Sequence, residues 1–230
     1  DFYHNCKIIY SFIDYFKDKK NKPFFLNIGT ATQLGYTNNK KPIKNNYIGY
    51  PETIFDLHKQ HSENLLAFAK NNLGFSCTTL RLTNVYGFGK THSSNRGVFL
   101  KIIQGAIKEN VIKLYGGGRY IRDFIYLDDV IEGIIKACQH NSKLNDNYYY
   151  LCSGKGYSIY DFALIVKKYL KNKKSYKVKI LKTKWPNHVK KIDKRSFIGS
   201  NKKFFNITGF RAEITLSRGI EKIIDGLLKK

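Results

Sequence analysis

Short apolar runs of strand length alternate with amphipathic stretches of helix length through the first half of the chain, and this limits its fold more than any other feature. Phe24, Phe25, Leu26 and Ile28 form one run, and residues 77–82 form another. Between and around them lie helical patterns. Ile8, Ile9, Phe12, Ile13 and Phe16 predict a helix over 5–17, and a longer one is expected over 52–72 with Gly74 as its stop. Strands are then expected over 111–115, 120–127 and 148–151, with helices over 98–107, 130–139, 159–170 and 217–228. Asp129 with Glu132, and Ser158 with Asp161, have capping-box spacing. Residues 84–89 read as a loop, and Gly116-Gly117-Gly118 as a turn between strands, since no Lys-Ser/Thr and no helix directly follow it. Residues 171–200 are basic and carry no clear period. Apolar strands separated by helices belong to a parallel sheet covered on both faces, so the fold class is α/β and doubly wound.

Composition narrows the function classes. The net charge is +24, yet only seven of the 41 basic residues are arginine. The lysine clusters lack the interleaved aromatic and arginine side chains of a nucleic-acid reader, so they are expected to be solvated faces, and a basic nucleic-acid-binding protein stays a distant alternative for which only the charge speaks. The four cysteines contain no C-x-x-C pair, which argues against a zinc site or a disulfide framework and for a reducing cytoplasm. No run approaches the ~20 apolar residues of a membrane span. There is no methionine, so the gene is expected to continue upstream of Asp1.

Four segments in order resemble the extended branch of the short-chain dehydrogenase/reductase superfamily, the NAD-dependent nucleotide-sugar epimerases and dehydratases. They are residues 24–35 (FFLNIGTATQLG), 51–66 (PETIFDLHKQHSENLL), 80–87 (LRLTNVYG) and 114–130 (LYGGGRYIRDFIYLDDV). The last is close to the family's glycine-rich turn followed by R-D-[FY]-I-x-V-x-D. The resemblance implies a Rossmann-like sheet whose first βα units, with the dinucleotide fingerprint, lie upstream. It also implies a smaller α+β substrate domain. Residues 1–90 would belong to the NAD(P) domain and 91–230 mainly to the substrate domain, with 120–140 packing back on the first.

The implied reaction is transient C4 oxidation of a sugar held on a nucleoside diphosphate, with NAD or NADP as cofactor and no metal. In the family a tyrosine hydroxyl moves the proton, and a lysine one helical turn later lowers its pKa and holds the cofactor ribose. Lys59 matches the lysine, but Phe55 stands in the tyrosine position. Other Y-x-x-x-K pairs, Tyr15/Lys19 and Tyr169/Lys173 among them, lack the strand-loop-helix context. Thr30 matches the hydroxyl that contacts the reacting sugar, with backbone capping as its alternative role, and His58 is a candidate substitute acid/base. Asn84 and Val85 fall in the loop under the nicotinamide and the phosphates. Arg122 and Arg195 match two arginines that bind the diphosphate, although a surface salt bridge would also explain Arg122. Tyr115 belongs to the strand that lines the base pocket. A homodimer through the helix carrying Lys59 and its predecessor is implied. Phe55 keeps a second reading open, a homologue that binds a nucleotide sugar without turning it over.

Overall fold

The computed structural model describes residues 2–43, 47–87, 98–173 and 176–229. Strands β1 (Phe25–Thr30), β2 (Cys77–Leu82) and β6 (Tyr148–Leu151) form a parallel sheet in the order β1-β2-β6, with Leu80 between Ile28 and Tyr149. Helix α1 (Ile8–Phe16) follows a π-helical turn and packs with α2 (Ile54–Leu73). Their contact is apolar: Ile9 and Ile13 meet Leu66, Ala69, Phe75 and Cys77. Helix α2 starts at Ile54, two residues later than the sequence pattern suggested, because the Thr53 hydroxyl accepts the Asp56 N–H and sets the first turn. Gly74 ends it in the left-handed conformation (φ 67°) that a glycine adopts without strain.

A second sheet sets β3 (Asn84–Tyr86) parallel and β7 (Gly156–Ser158) antiparallel to β5 (Ile121–Tyr126). The stretch expected as a loop therefore begins with a strand; residues 88 and 89 lie outside the described residues. A third pairing joins β4 (Val111–Tyr115) to β8 (Lys179–Thr183) in parallel. Strand β8 sits in the stretch that read as unpatterned, because its side chains are largely exposed and leave no alternation to detect. Helices α3 (Val98–Glu109), α5 (Ile159–Lys171) and α7 (Leu216–Leu228) close over β4 and β5, burying Ile103, Phe124, Phe162, Val166, Ile220 and Ile224 together. Helix α4 (Leu127–Gln139) and α6 (Lys202–Thr208) share a further core with the first sheet, in which Leu80, Tyr149 and Leu151 meet Ile125, Val130 and Phe204.

Two capping readings met different ends. Ser158 and Asp161 form the expected box, each side chain bonding the other's backbone N–H at 3.0 and 2.8 Å. Asp129 does not cap α4, which begins at Leu127 with Tyr126 at the cap position. Its buried carboxylate instead accepts the N–H groups of Glu213 and Ile214, both at 3.1 Å, and ties the approach to α7 onto α4. The three glycines 116–118 all have positive φ, as the expected turn requires, and a Cβ on Gly116 would lie 2.3 Å from the Trp185 indole nitrogen. Between β2 and α2 lies a buried ion pair: the Arg81 guanidinium forks onto Glu63 at 2.9 and 2.6 Å and stacks 3.3 Å from the Tyr148 ring centroid. Gln33 adds an amide N–H to Glu63 at 3.0 Å. Among the described residues no helix is long and apolar enough to cross a membrane.

Candidate functional site

A small pocket opens where the end of β1, the start of β3, β5 and the segment after residue 194 converge. Ala31, Thr32 and Gly35 line one side; Thr83, Asn84, Arg122, Arg195 and Phe197 line the rest. The structure thus gathers Asn84, Arg122 and Arg195 from three separate places in the chain. Arg122 leaves β5 and donates to the carbonyls of Ile121 (3.1 Å) and Asp193 (3.0 Å), and among the described residues it forms no ion pair. Burial, and then the neighbouring Arg195 charge, push its pKa down to about 10. Burial lowers the Arg195 pKa as well, against the pull of Asp56, Asp193 and Glu52. Two guanidinium groups that share a partly desolvated pocket call for an anion.

Asp123 holds the walls in place. Its fully buried carboxylate accepts from Ser153 N–H (3.0 Å) and hydroxyl (2.7 Å), Gly154 N–H (3.0 Å), Gly199 N–H (3.1 Å) and the Thr83 hydroxyl (3.3 Å). Burial pushes its pKa up, and the donors from Ser153, Gly199 and Gly154 oppose that. The Asp123 carbonyl accepts the Asn84 side-chain amide at 3.0 Å. One residue therefore fixes the loop after β6, the backbone at 199 and the orientation of Asn84. Its place directly after Arg122 in the matching motif was the one sequence signal for it.

Thr30 ends β1 and caps the short helical turn that follows, accepting the Thr32 N–H at 3.2 Å, so the capping role is the one seen. Its hydroxyl also lies 3.0 Å from that of Thr32. Phe55 is the second residue of α2; it is 43% exposed, and its ring centroid is 5.9 Å from the Lys59 ammonium. Lys59 reaches across to the sheet edge and donates to the Ile28 carbonyl at 2.9 Å, and burial lowers its pKa. Phe55 and Lys59 thus have the spatial relation that the one-turn spacing implied.

The remaining sequence-predicted residues stand elsewhere. His58 packs its ring on Phe2 (centroids 5.9 Å) and is not among the pocket residues. Val85 is exposed on β3 and also outside the pocket lining. Tyr115, at the end of β4, stacks on Trp185 with centroids 5.6 Å apart and planes at 24°. Lys194 lies over the other ring of that pair, 5.7 Å from the Trp185 centroid. Tyr169 bonds Asp225 at 2.9 Å between α5 and α7 and is not among the pocket residues. Thr32, Thr83 and Phe197 line the pocket and carried no sequence signal of their own. A wider cleft between β4, β8 and the start of α5, lined by Leu114, Arg119, Tyr160 and Lys182, holds none of the expected site residues.

The sequence model of the NAD-dependent epimerase/dehydratase family matches residues 1–152. The chain belongs to this family. Within it, the dTDP-L-rhamnose 4-epimerase of Burkholderia thailandensis is 29% identical over 117 residues, 50% of this chain and 32% of that protein. The UDP-glucose 4-epimerase of Thermotoga maritima, solved with UDP-glucose, superposes with a TM-score of 0.83 at 20% identity, covering 100% of this chain and 71% of that one. The UDP-glucuronic acid 4-epimerase of Bacillus cereus, solved with UDP-glucuronic acid and NAD, gives 0.77 at 19% identity, covering 98% and 67%. At such identities the superpositions speak for the fold, which is the Rossmann-like α/β architecture of the extended epimerases and dehydratases. The matched stretches cover 32%, 53% and 41% of three curated relatives, so the chain spans a third to a half of their length.

Proposed function

We propose that these residues form the substrate-binding part of an NAD(P)-dependent epimerase/dehydratase that acts on a nucleotide-diphosphate sugar through transient oxidation at C4. The observation that carries the reading is the pairing of Arg122 and Arg195, two half-buried cations without a carboxylate bonded to either, in one pocket beside the Asn84 amide. A diphosphate bears the charge and the acceptor oxygens that such a pair lacks. Thr32 lines the opposite wall with the Thr30 hydroxyl 3.0 Å behind it, where the sugar would follow the phosphates. Tyr115, stacked on Trp185, is the proposed edge of the base site.

Lys59 fits a ribose contact of NAD or NADP. It is half-buried at the exposed end of β1, and its ammonium has donors beyond the one given to Ile28. The cofactor, when bound, would take and return the electron pair of the sugar C4–H bond. Lys59 would orient it, and Thr30 would hold the reacting hydroxyl. Residues 1–90 are proposed to belong with the cofactor domain and 91–230 mainly with the substrate domain. A homodimer through α1 and α2 is also proposed. Ile54, Leu57 and Phe68 fall on one helical face and are exposed, as are Ile8 and Tyr15 on α1, and a partner copy would cover them.

A second reading has a specific observation behind it. Phe55 has no proton to give, which favours a homologue that binds the nucleotide sugar without turning it over. Calorimetric titration with UDP-, dTDP-, GDP- and CDP-hexoses tests what the two readings share, using the natural protein that contains these residues. Binding of none of them would end both. Product analysis with NAD and NADP present then separates enzyme from binder.

A further inference from the structure

Asp56 follows Phe55 in the chain, and neither reading above uses its carboxylate. It lies in the first turn of α2 and is 2% exposed. One oxygen accepts from the Thr53 hydroxyl at 2.7 Å, and the other accepts from the hydroxyl of Thr32, which lines the pocket with Arg122 and Arg195. The Thr32 oxygen is also 3.0 Å from the Thr30 oxygen, and Thr30 accepts the Thr32 N–H at 3.2 Å.

The direction of every bond in this chain follows from counting hydrogens. A carboxylate only accepts, and a hydroxyl has one hydrogen and two lone pairs. The Thr32 hydrogen goes to Asp56, so Thr30 must be the donor in the Thr30–Thr32 contact. Neither hydroxyl then has a hydrogen to offer a ligand, while each keeps one lone pair free. Had Asp56 been an apolar residue, both threonines could have turned to donate.

We propose that Asp56 orders Thr32 and Thr30 into an acceptor-only pair that receives the hydroxyl hydrogen of a bound sugar and selects against a group unable to donate. The proposal rests on the nucleotide-sugar reading of the pocket. Asp56 is a positioning residue, acting through Thr32, and the selected ligand is a sugar with a free hydroxyl at the position facing Thr32, taken as C4. The pair thus supplies an oxygen acceptor that the phenyl group of Phe55 cannot.

The test compares matched nucleotide hexoses of the UDP, dTDP, GDP and CDP series, each with a 4-hydroxyl or a 4-deoxy-4-fluoro group. Fluorine occupies similar space and cannot donate. Dissociation constants are measured for the natural protein and for Thr32→Val, Thr32→Ser and Asp56→Ala. The unaltered protein should prefer the hydroxyl sugar by roughly 2- to 12-fold, the range of one neutral hydrogen bond. Thr32→Ser should keep that preference, whereas Thr32→Val and Asp56→Ala should bring the ratio close to unity. Should Asp56→Ala fail to fold, the valine and serine variants decide. A ratio of unity in the unaltered protein, or a preference that survives Thr32→Val or Asp56→Ala, overturns the proposal and leaves the nucleotide-sugar reading standing. Binding of no pair at all removes that reading, and the proposal with it.

Discussion

Arg122 and Arg195 come from different segments of the chain and line one pocket, where the charge of Arg195 adds to burial in lowering the pKa of Arg122 to about 10. Each guanidinium raises the cost of the other's charge, and an anion between them would lower both costs at once.

Arg122→Ala should therefore weaken binding of a nucleoside diphosphate by about 10- to 150-fold, the worth of a charged hydrogen bond of about 1.5–3 kcal/mol. Calorimetric titration of the variant against the unaltered protein reads this directly. Equal dissociation constants would remove Arg122 from the site.

Phe55→Tyr should raise turnover of the cognate nucleotide sugar by about 10²- to 10⁴-fold, the usual contribution of a positioned acid/base. Lys59 already lies one turn away with its ammonium 5.9 Å from the ring. Phe55 is 43% exposed, so the added oxygen is not placed in a dry core and the stability change should stay within about 0.5 kcal/mol. Rates are to be compared at matched folded concentration. No gain in rate in the tyrosine variant, with the unaltered protein already fast, would show that Phe55 does not occupy a lost catalytic position.

Glu63→Ala should destabilise the protein by about 3–5 kcal/mol in urea denaturation. It leaves the Arg81 cation buried without its partner and Gln33 without its acceptor. Replacing Arg81 by Met and Glu63 by Leu together should recover most of that loss, because no buried charge then remains. A single variant as stable as the unaltered protein would contradict the burial of this pair.

Asp123→Asn tests the pocket scaffold. Both carboxylate oxygens accept backbone N–H groups, one from Ser153 and the other from Gly154 and Gly199. Whichever way the amide turns, its NH₂ faces a buried N–H donor. Thermal and urea unfolding should show a loss of roughly 1–6 kcal/mol, one or two stranded donors at about 1–3 each. Near-normal stability would mean that the three loops are held by other contacts.

The parts of the fold that were legible in the sequence are those whose cause is local. Helix periodicity, the Ser158/Asp161 box and the Gly74 stop each depend on residues within about one turn, and the structure has all three. The pocket arginines were legible for a different reason: they sit in motifs that the family resemblance places at the phosphates. Asp129 shows where local reasoning stops. Its spacing to Glu132 suits a cap, but the carboxylate is buried against the backbone N–H groups of residues 213 and 214, far away in sequence, and accepts those instead.

By itself the sequence determined the α/β class, the longer helices and the apolar strands, the family, and the absence of a hydroxyl at position 55. Tertiary structure alone decided that β8 pairs with β4, that Arg81 and Glu63 meet in the core, and that Asp123 joins three loops. It also decided that the Thr32 hydroxyl reaches Asp56 and so has its hydrogen committed. The physical reason is that periodicity and capping are set by near neighbours, whereas a polar side chain can bond any complementary group that folding brings within about 3 Å, and its identity does not say which.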